Sequence, residues 1–195
     1  MKKQLMIFAI TMLAMLLNIH GVTAHCDTMD GPVVKDAKKA IETNNVNYVL
    51  KWVQPGDENE IKEAFNLAMK VRPLSPEAQL LADKYFFETL VRVHRSGEGM
   101  AFTGVKPSGT PIDEKILAAD QSIESGNLTA LEKMVPESQR PELQRRFKRV
   151  ASLKNFDVNN VKAGREYIEA YVQFFHFAEG ETEANEDEHG GHAGH

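Results

Sequence analysis

The sequence predicts an all-α protein, a helical bundle made of two tandem four-helix repeats, and three observations carry that expectation. Past residue 31 the apolar residues recur at three- and four-residue spacing. Gly and Pro cluster between the periodic segments, and alternating strand-like runs are missing. Sliding the chain by 82 residues aligns "IETNNVNYVLKWV" (41–53) with "IESGNLTALEKMV" (123–135) without a gap. The same offset pairs Ile61 with Leu143, Phe65 with Phe147, Val71 with Leu153, Tyr85 with Tyr167, Leu90 with Val172 and His94 with His176. One offset held through four helices reads as an internal duplication, expected to pack about a pseudo-two-fold axis.

Taken in order, residues 1–24 have the pattern of a signal peptide. Lys2 and Lys3 form a positive start, Leu5 to Leu17 an apolar run too short for a confident membrane span, and Val22-Thr23-Ala24 a small-residue cleavage site. Bulky His25 argues against a lipoprotein anchor at Cys26, so the mature chain is expected to begin at His25, periplasmic or secreted, with no span left. Residues 25–32 form a separate N-terminal segment, "HCDTMDGP".

The first repeat covers 33–95, with helices expected at 33–44, 46–53, 58–72 and 76–95. Asp57 with Glu60 reads as a capping box, and Ser75-Pro76 as an N-cap followed by proline at the first helical position. A Gly/Pro-rich linker, "SGEGMAFTGVKPSGTPI", occupies 96–112 and is long enough to suggest a role of its own. The second repeat, 113–178, carries helices at 113–125, 127–135, 138–154 and 158–177, with Asp157 as the counterpart N-cap of Ser75. From 179 to 195 the chain is acidic and then His/Gly-rich, a composition expected to be disordered without a ligand.

The 171 residues after Ala24 suffice for one well-cored domain or two small ones. Of 23 basic residues two fall in the leader, so against 28 acidic ones the mature net charge is −7 with His neutral. That balance, without a basic stripe, speaks against nucleic acid. The one cysteine excludes an internal disulfide and leaves either an intermolecular link or a reactive group.

A mature N-terminus at His25 offers an amine, an imidazole, an ionisable amide and the Cys26 thiol within two residues. That is a compact chelate for nickel, copper or zinc. Asp27 and Asp30 add oxygen ligands or orient the histidine from behind. His94 and His176 each end the most apolar helix of a repeat. Singly they read as helix-end histidines that complement the dipole; as a duplicated pair they become candidate ligands that a two-fold would bring together. Glu88 is either the helical partner of Arg92 or a buried ligand or proton carrier, and Glu98 has a similar status beside His94. His189, His192 and His195 suit loose metal capture.

Beginning with His-Cys-Asp and placing Gly31 seventh resembles the hook of nickel superoxide dismutases, which are also all-helical. In that family the amine, the first amide nitrogen and two thiolates hold nickel, with the histidine ring axial. His25 and Cys26 match by position, while the second thiolate position is Asp30. The resemblance implies metal binding more than dismutase activity. "HCDTMDGPVV", "YFFETLVRVHR" and "GEGMAFTGVKPSG" resemble a family of exported bacterial proteins known as a domain of unknown function, which implies export and an all-helical fold.

The chain has no Gly-rich phosphate loop, G-x-S-x-G, H-E-x-x-H or C-x-x-C-H. Two functions compete. One is an exported transition-metal-binding protein for metal handling or superoxide/redox chemistry. The other is a non-enzymatic helical interaction module of the cell envelope with a protein partner at the repeat interface and linker.

Overall fold

The computed structural model describes residues 25–180; the expected signal peptide and the tail histidines His189, His192 and His195 lie outside the described residues. Among the described residues eight α-helices follow one another: α1 Pro32–Thr43, α2 Asn47–Leu50, α3 Glu58–Val71, α4 Pro76–Gly97, α5 Glu114–Ser125, α6 Thr129–Glu132, α7 Arg140–Leu153 and α8 Val161–Glu179. Short 3-10 turns lie at Pro55–Asp57, Arg72–Leu74 and Glu137–Gln139. Among the described residues the only extended pairing is an isolated parallel bridge between Thr28 and Lys106. The fold is all-α.

The 82-residue offset reappears in the element bounds. α1, α2, the turn Pro55–Asp57 and α3 return 82 positions later as α5, α6, the turn Glu137–Gln139 and α7, and α4 and α8 end at the matching residues Gly97 and Glu179. The caps repeat as well. Asn44 and Gly126 both take the left-handed conformation that closes a helix, with φ of 50° and 74°. Burial follows suit, since Val34 and Ile116, Val49 and Leu131, Ile61 and Leu143, and Ala68 and Val150 all sit in the core. Each large aliphatic residue so buried contributes about 1.5–3 kcal/mol relative to exposure.

Local chemistry explains where the helices stop and start. Ser75 accepts from the Ala78 amide at 3.1 Å and opens α4 as expected, and Asp113 does the same for α5 through Lys115 at 2.8 Å. Three expectations need correction. Asp57 makes no capping bond, because Pro55–Asp57 winds straight into α3, and Glu60 pairs with Arg92 instead. Glu88 therefore loses Arg92 as partner; it lies 4.0 Å from Lys84 on an outer face and is not a core residue. Asp157 accepts from Asn159 in a tight turn, so α8 begins three residues later, capped by Asn160. The short α2 and α6 end before Pro55 and Pro136, whose preceding residues are pushed out of helical geometry.

Contacts between the halves run in one direction. Arg165 of α8 donates to the carbonyls of Leu50 and Val53 at 3.2 and 3.0 Å and to Glu58 at 2.7 Å. It thereby satisfies groups that the end of α2 leaves open. Lys51 lies 5.3 Å over the Phe156 ring, Trp52 meets Tyr171 edge-on, and Asn45 and Asn47 donate to Asn159. A two-fold would repeat these contacts with Lys133 over Leu74, yet Leu74 is 75% exposed. The expected two-fold packing is not what these contacts show.

Candidate functional site

Residues 25–31 form a strap laid over the junction of α4, α5, α8 and the linker. Backbone bonds tie it down, from the Lys106 amide to the Asp27 carbonyl at 2.7 Å and from the Met29 amide to the Lys106 carbonyl at 3.0 Å. Lys38 reaches the Met29 carbonyl at 2.9 Å. The strap then turns on itself, with the Gly31 amide donating to Thr28 O at 3.0 Å and the Thr28 hydroxyl to His25 O at 3.3 Å. A Cβ on Gly31 would stand 2.1 Å from that His25 oxygen, so only glycine permits the closure. The seventh-place glycine is thus a packing requirement of the turn.

The side chains of the strap divide between the two halves. The His25 ring stacks on Phe175 (centroids 5.6 Å, planes 17° apart), and its Nε2–H donates to Asp120 Oδ2 at 2.6 Å. The other oxygen of Asp120 accepts from the Tyr171 hydroxyl at 2.9 Å, and burial with the Asp120 charge pushes that phenol well up. Asp27 is buried facing the first half, with Oδ1 lacking a hydrogen bond and lying 3.6 Å from Arg95 Nε. Burial raises its carboxyl pKa, opposed by Arg95. Cys26 is half-buried between these two; burial, then the charges of Glu98 and Asp27, push its thiol far up, with Arg95 opposing.

Asp30 points elsewhere. Its carboxylate accepts from the Ser108 hydroxyl at 2.7 and 2.9 Å and from the Gly109 amide at 2.9 Å, which holds it below the usual carboxylate range. It anchors the linker and stays on the surface, away from Cys26's buried neighbours.

His94 lies beneath the strap at the end of α4. Its Nδ1–H donates to the Trp52 carbonyl at 2.9 Å, and the Trp52 ring meets it edge-on. Nε2 is buried without a hydrogen-bond partner, 3.4 Å from Glu98 Oε1. Glu98 Oε2 accepts from Arg95 Nη1 at 2.8 Å, which joins His94, Glu98, Arg95 and Asp27 into one interior chain of ionisable groups. His176 sits half-buried in the last turn of α8, where its carbonyl accepts the capping amide of Gly180.

The structure therefore brings His25, Cys26, Asp27, His94 and Glu98 to one polar seam and leaves Asp30 and Glu88 on the outside. Among the described residues no three His, Cys, Asp or Glu side chains stand together as a ready metal-binding group. Sequence reasoning missed Asp120, Arg95, Tyr171 and Trp52. A signal existed, because each breaks the repeat: their counterparts are Lys38, Phe177, Thr89 and Met134.

Fold and site together define an all-helical protein with a buried ionisable seam closed by the strap of residues 25–31. The chain belongs to the family described as "Family of unknown function (DUF6448)", which matches residues 30–177 and so begins after His25, Cys26 and Asp27. No curated protein and no solved structure matches the chain. Among the described residues no helix is long and apolar enough to cross a membrane.

Proposed function

We propose that the protein is an exported, periplasmic or secreted binder of a transition-metal ion, nickel, copper or zinc, serving metal handling. The ligand set differs from the exposed hook. His94 Nε2 and Glu98 provide the fixed part, and the strap brings Cys26 and Asp27. The observation that carries this reading is His94 itself: a buried ring nitrogen with no hydrogen-bond partner, its sister nitrogen held by a backbone carbonyl. That pairing selects the tautomer with its lone pair on Nε2 and orients the ring as a ligand is oriented. The carboxylates of Glu98 and Asp27 lie along the same chain of groups and supply anionic oxygens beside it, with Arg95 between them. Because no ready three-ligand group exists among the described residues, binding draws the strap inward.

The test uses leader-cleaved protein with His25 as its first residue, titrated with nickel, copper and zinc by calorimetry and by thiolate-to-metal absorption. Near-stoichiometric binding is expected. His94→Gln and Cys26→Ser should each lower affinity at least tenfold, and Asp30→Ala should leave it unchanged. A parent that binds no metal, or variants at 94 and 26 that bind as tightly as the parent, would overturn the reading.

A further inference from the structure

The net acidity of the chain conceals one local exception. α7 carries five cations, Arg140, Arg145, Arg146, Lys148 and Arg149, against the single acid Glu142. Arg146 is buried against α8, while Arg145, Lys148 and Arg149 share the exposed side at three- and four-residue spacing. Arg145 is held by Glu142, but Lys148 and Arg149 form no ion pair among the described residues. Like charges at this spacing repel, so the face weakens its own helix. The fold does not require it. In the sister helix α3 the matching exposed positions, 82 residues earlier, are Glu63, Asn66 and Leu67.

What differs between the halves is the chain that leaves the neighbouring long helix. α4 leads into the linker, where residues 98–112 hold only Glu98 and Lys106 as charges. α8 leads into 181–188, "ETEANEDE", with five carboxylates and no cation. The point of departure also fits. Arg146 of α7 lies over Phe177 and donates to the Gln173 carbonyl, and Phe147 meets Phe174, whereas Phe156 beyond α7 meets Tyr167. α8 is therefore antiparallel to α7, and its last turn stands beside the first turns of α7. There Gly180, with φ of 100°, closes α8 in the left-handed conformation that glycine accepts. Eight residues at about 3.3 Å each reach about 26 Å, and a helix of 14 residues is about 21 Å long. The acidic stretch is long enough to follow α7 from end to end.

We propose that residues 181–188 dock on the exposed basic face of α7, their carboxylates answering Arg145, Lys148 and Arg149. The occupant is the chain's own segment because it is tethered at one end of the face. A short tether gives an effective concentration of about a millimolar, which a foreign polyanion must exceed. Each ion pair is exposed and individually weak, so docking alters the surroundings of α7 while the melting temperature hardly moves. His189, His192 and His195 follow directly on the docked stretch and are carried along α7 toward its C-terminal end.

Nuclear magnetic resonance on the full leader-cleaved chain, labelled with ¹⁵N and kept metal-free by a chelator, tests this independently of the metal reading. In about 0.02 M salt the amides of Lys148, Arg149 and Ser152 should differ in chemical shift from those of a chain ending at Gly180. In about 1 M sodium chloride, where the Debye length is about 3 Å, the two chains should coincide at these positions. The heteronuclear Overhauser effect of 181–188 should fall over the same change of salt. Lys148→Glu with Arg149→Glu removes two exposed cations that hold no partner, so the double variant should keep the parent's circular dichroism. Its 181–188 amides should show, already in low salt, the low Overhauser effect of the parent in high salt. Identical α7 shifts in the full and shortened chains at low salt would overturn the proposal. So would a difference that persists in 1 M salt, or 181–188 amides indifferent to the double variant. Shifts that grow with protein concentration would assign the acidic stretch to a second copy and overturn it equally.

Discussion

Gly31 shows how a single residue in the strap decides whether the seam is closed. Its φ is −76°, open to any residue, so backbone freedom is not the reason for glycine. The reason is the His25 carbonyl, which stands where a Cβ would go. Gly31→Ala is expected to destabilise the fold by about 1–3 kcal/mol, the usual range for overpacking, as read by urea denaturation. The Cys26 thiol reports the same event. Burial and the neighbouring carboxylates raise its proton affinity, so at pH 8 it carries less thiolate than a free cysteine. Alkylation of the native protein should run at least tenfold slower than that of the urea-unfolded chain, and Gly31→Ala should recover much of the rate. A native thiol that reacts at the unfolded rate would show that the strap does not protect it.

At the scale of elements, α7 and α8 are joined through Arg146, a buried cation whose Nη1 donates to the Gln173 carbonyl at 3.1 Å and whose guanidinium lies 5.0 Å over Phe177. Glu142 holds it from one turn earlier at 2.7 Å and also takes Arg145. Hydrogen bonds from Arg145 and then Arg146 bring the Glu142 carboxyl down to about 2 from 4.5. A lowered pKa in the folded state means the contribution to stability is complete above the unfolded value and fades as pH falls through the folded one. Glu142→Gln should therefore be less stable than the parent at pH 7, and the two should converge by about pH 2. Thermal melts across that range decide it; a gap that does not narrow would mean the carboxylate charge is not what counts.

Most elements were legible because a helix is a local object: its apolar spacing, its N-cap and the proline that ends it all lie within a few residues. Ser75 illustrates the legible case. Asp57 illustrates the other, since a 3-10 turn entering α3 removes the cap that the residue types suggested. The site was legible only in part. His25, Cys26, His94 and Glu98 announce themselves by chemistry, but Asp120 and Tyr171 reach the strap through the packing of α5 against α8, which no local pattern encodes.

The whole molecule depends on how firmly one half is seated on the other. Each helical hairpin packs chiefly within its own half, so the seam between halves rests on few residues, with Arg165 the foremost. Its guanidinium serves two carbonyls at the end of α2 and the Glu58 carboxylate together. Removing it strands acceptors that lie beside buried Leu50 and Val53, whose only other recourse is water at a newly opened gap. The side chain is 26% exposed, so the loss is moderated by solvent, and Arg165→Ala should cost about 2 kcal/mol. Arg165→Lys should recover little, because an ammonium cannot serve three acceptors from a planar fork. The manner of unfolding is the more telling readout. The parent should unfold in one transition, whereas the variant should lose cooperativity and show a lowered denaturant slope as the halves separate first. A single transition with an unchanged slope in Arg165→Ala would show that the strap and the aromatic contact of Trp52 with Tyr171 suffice to hold the halves as one unit.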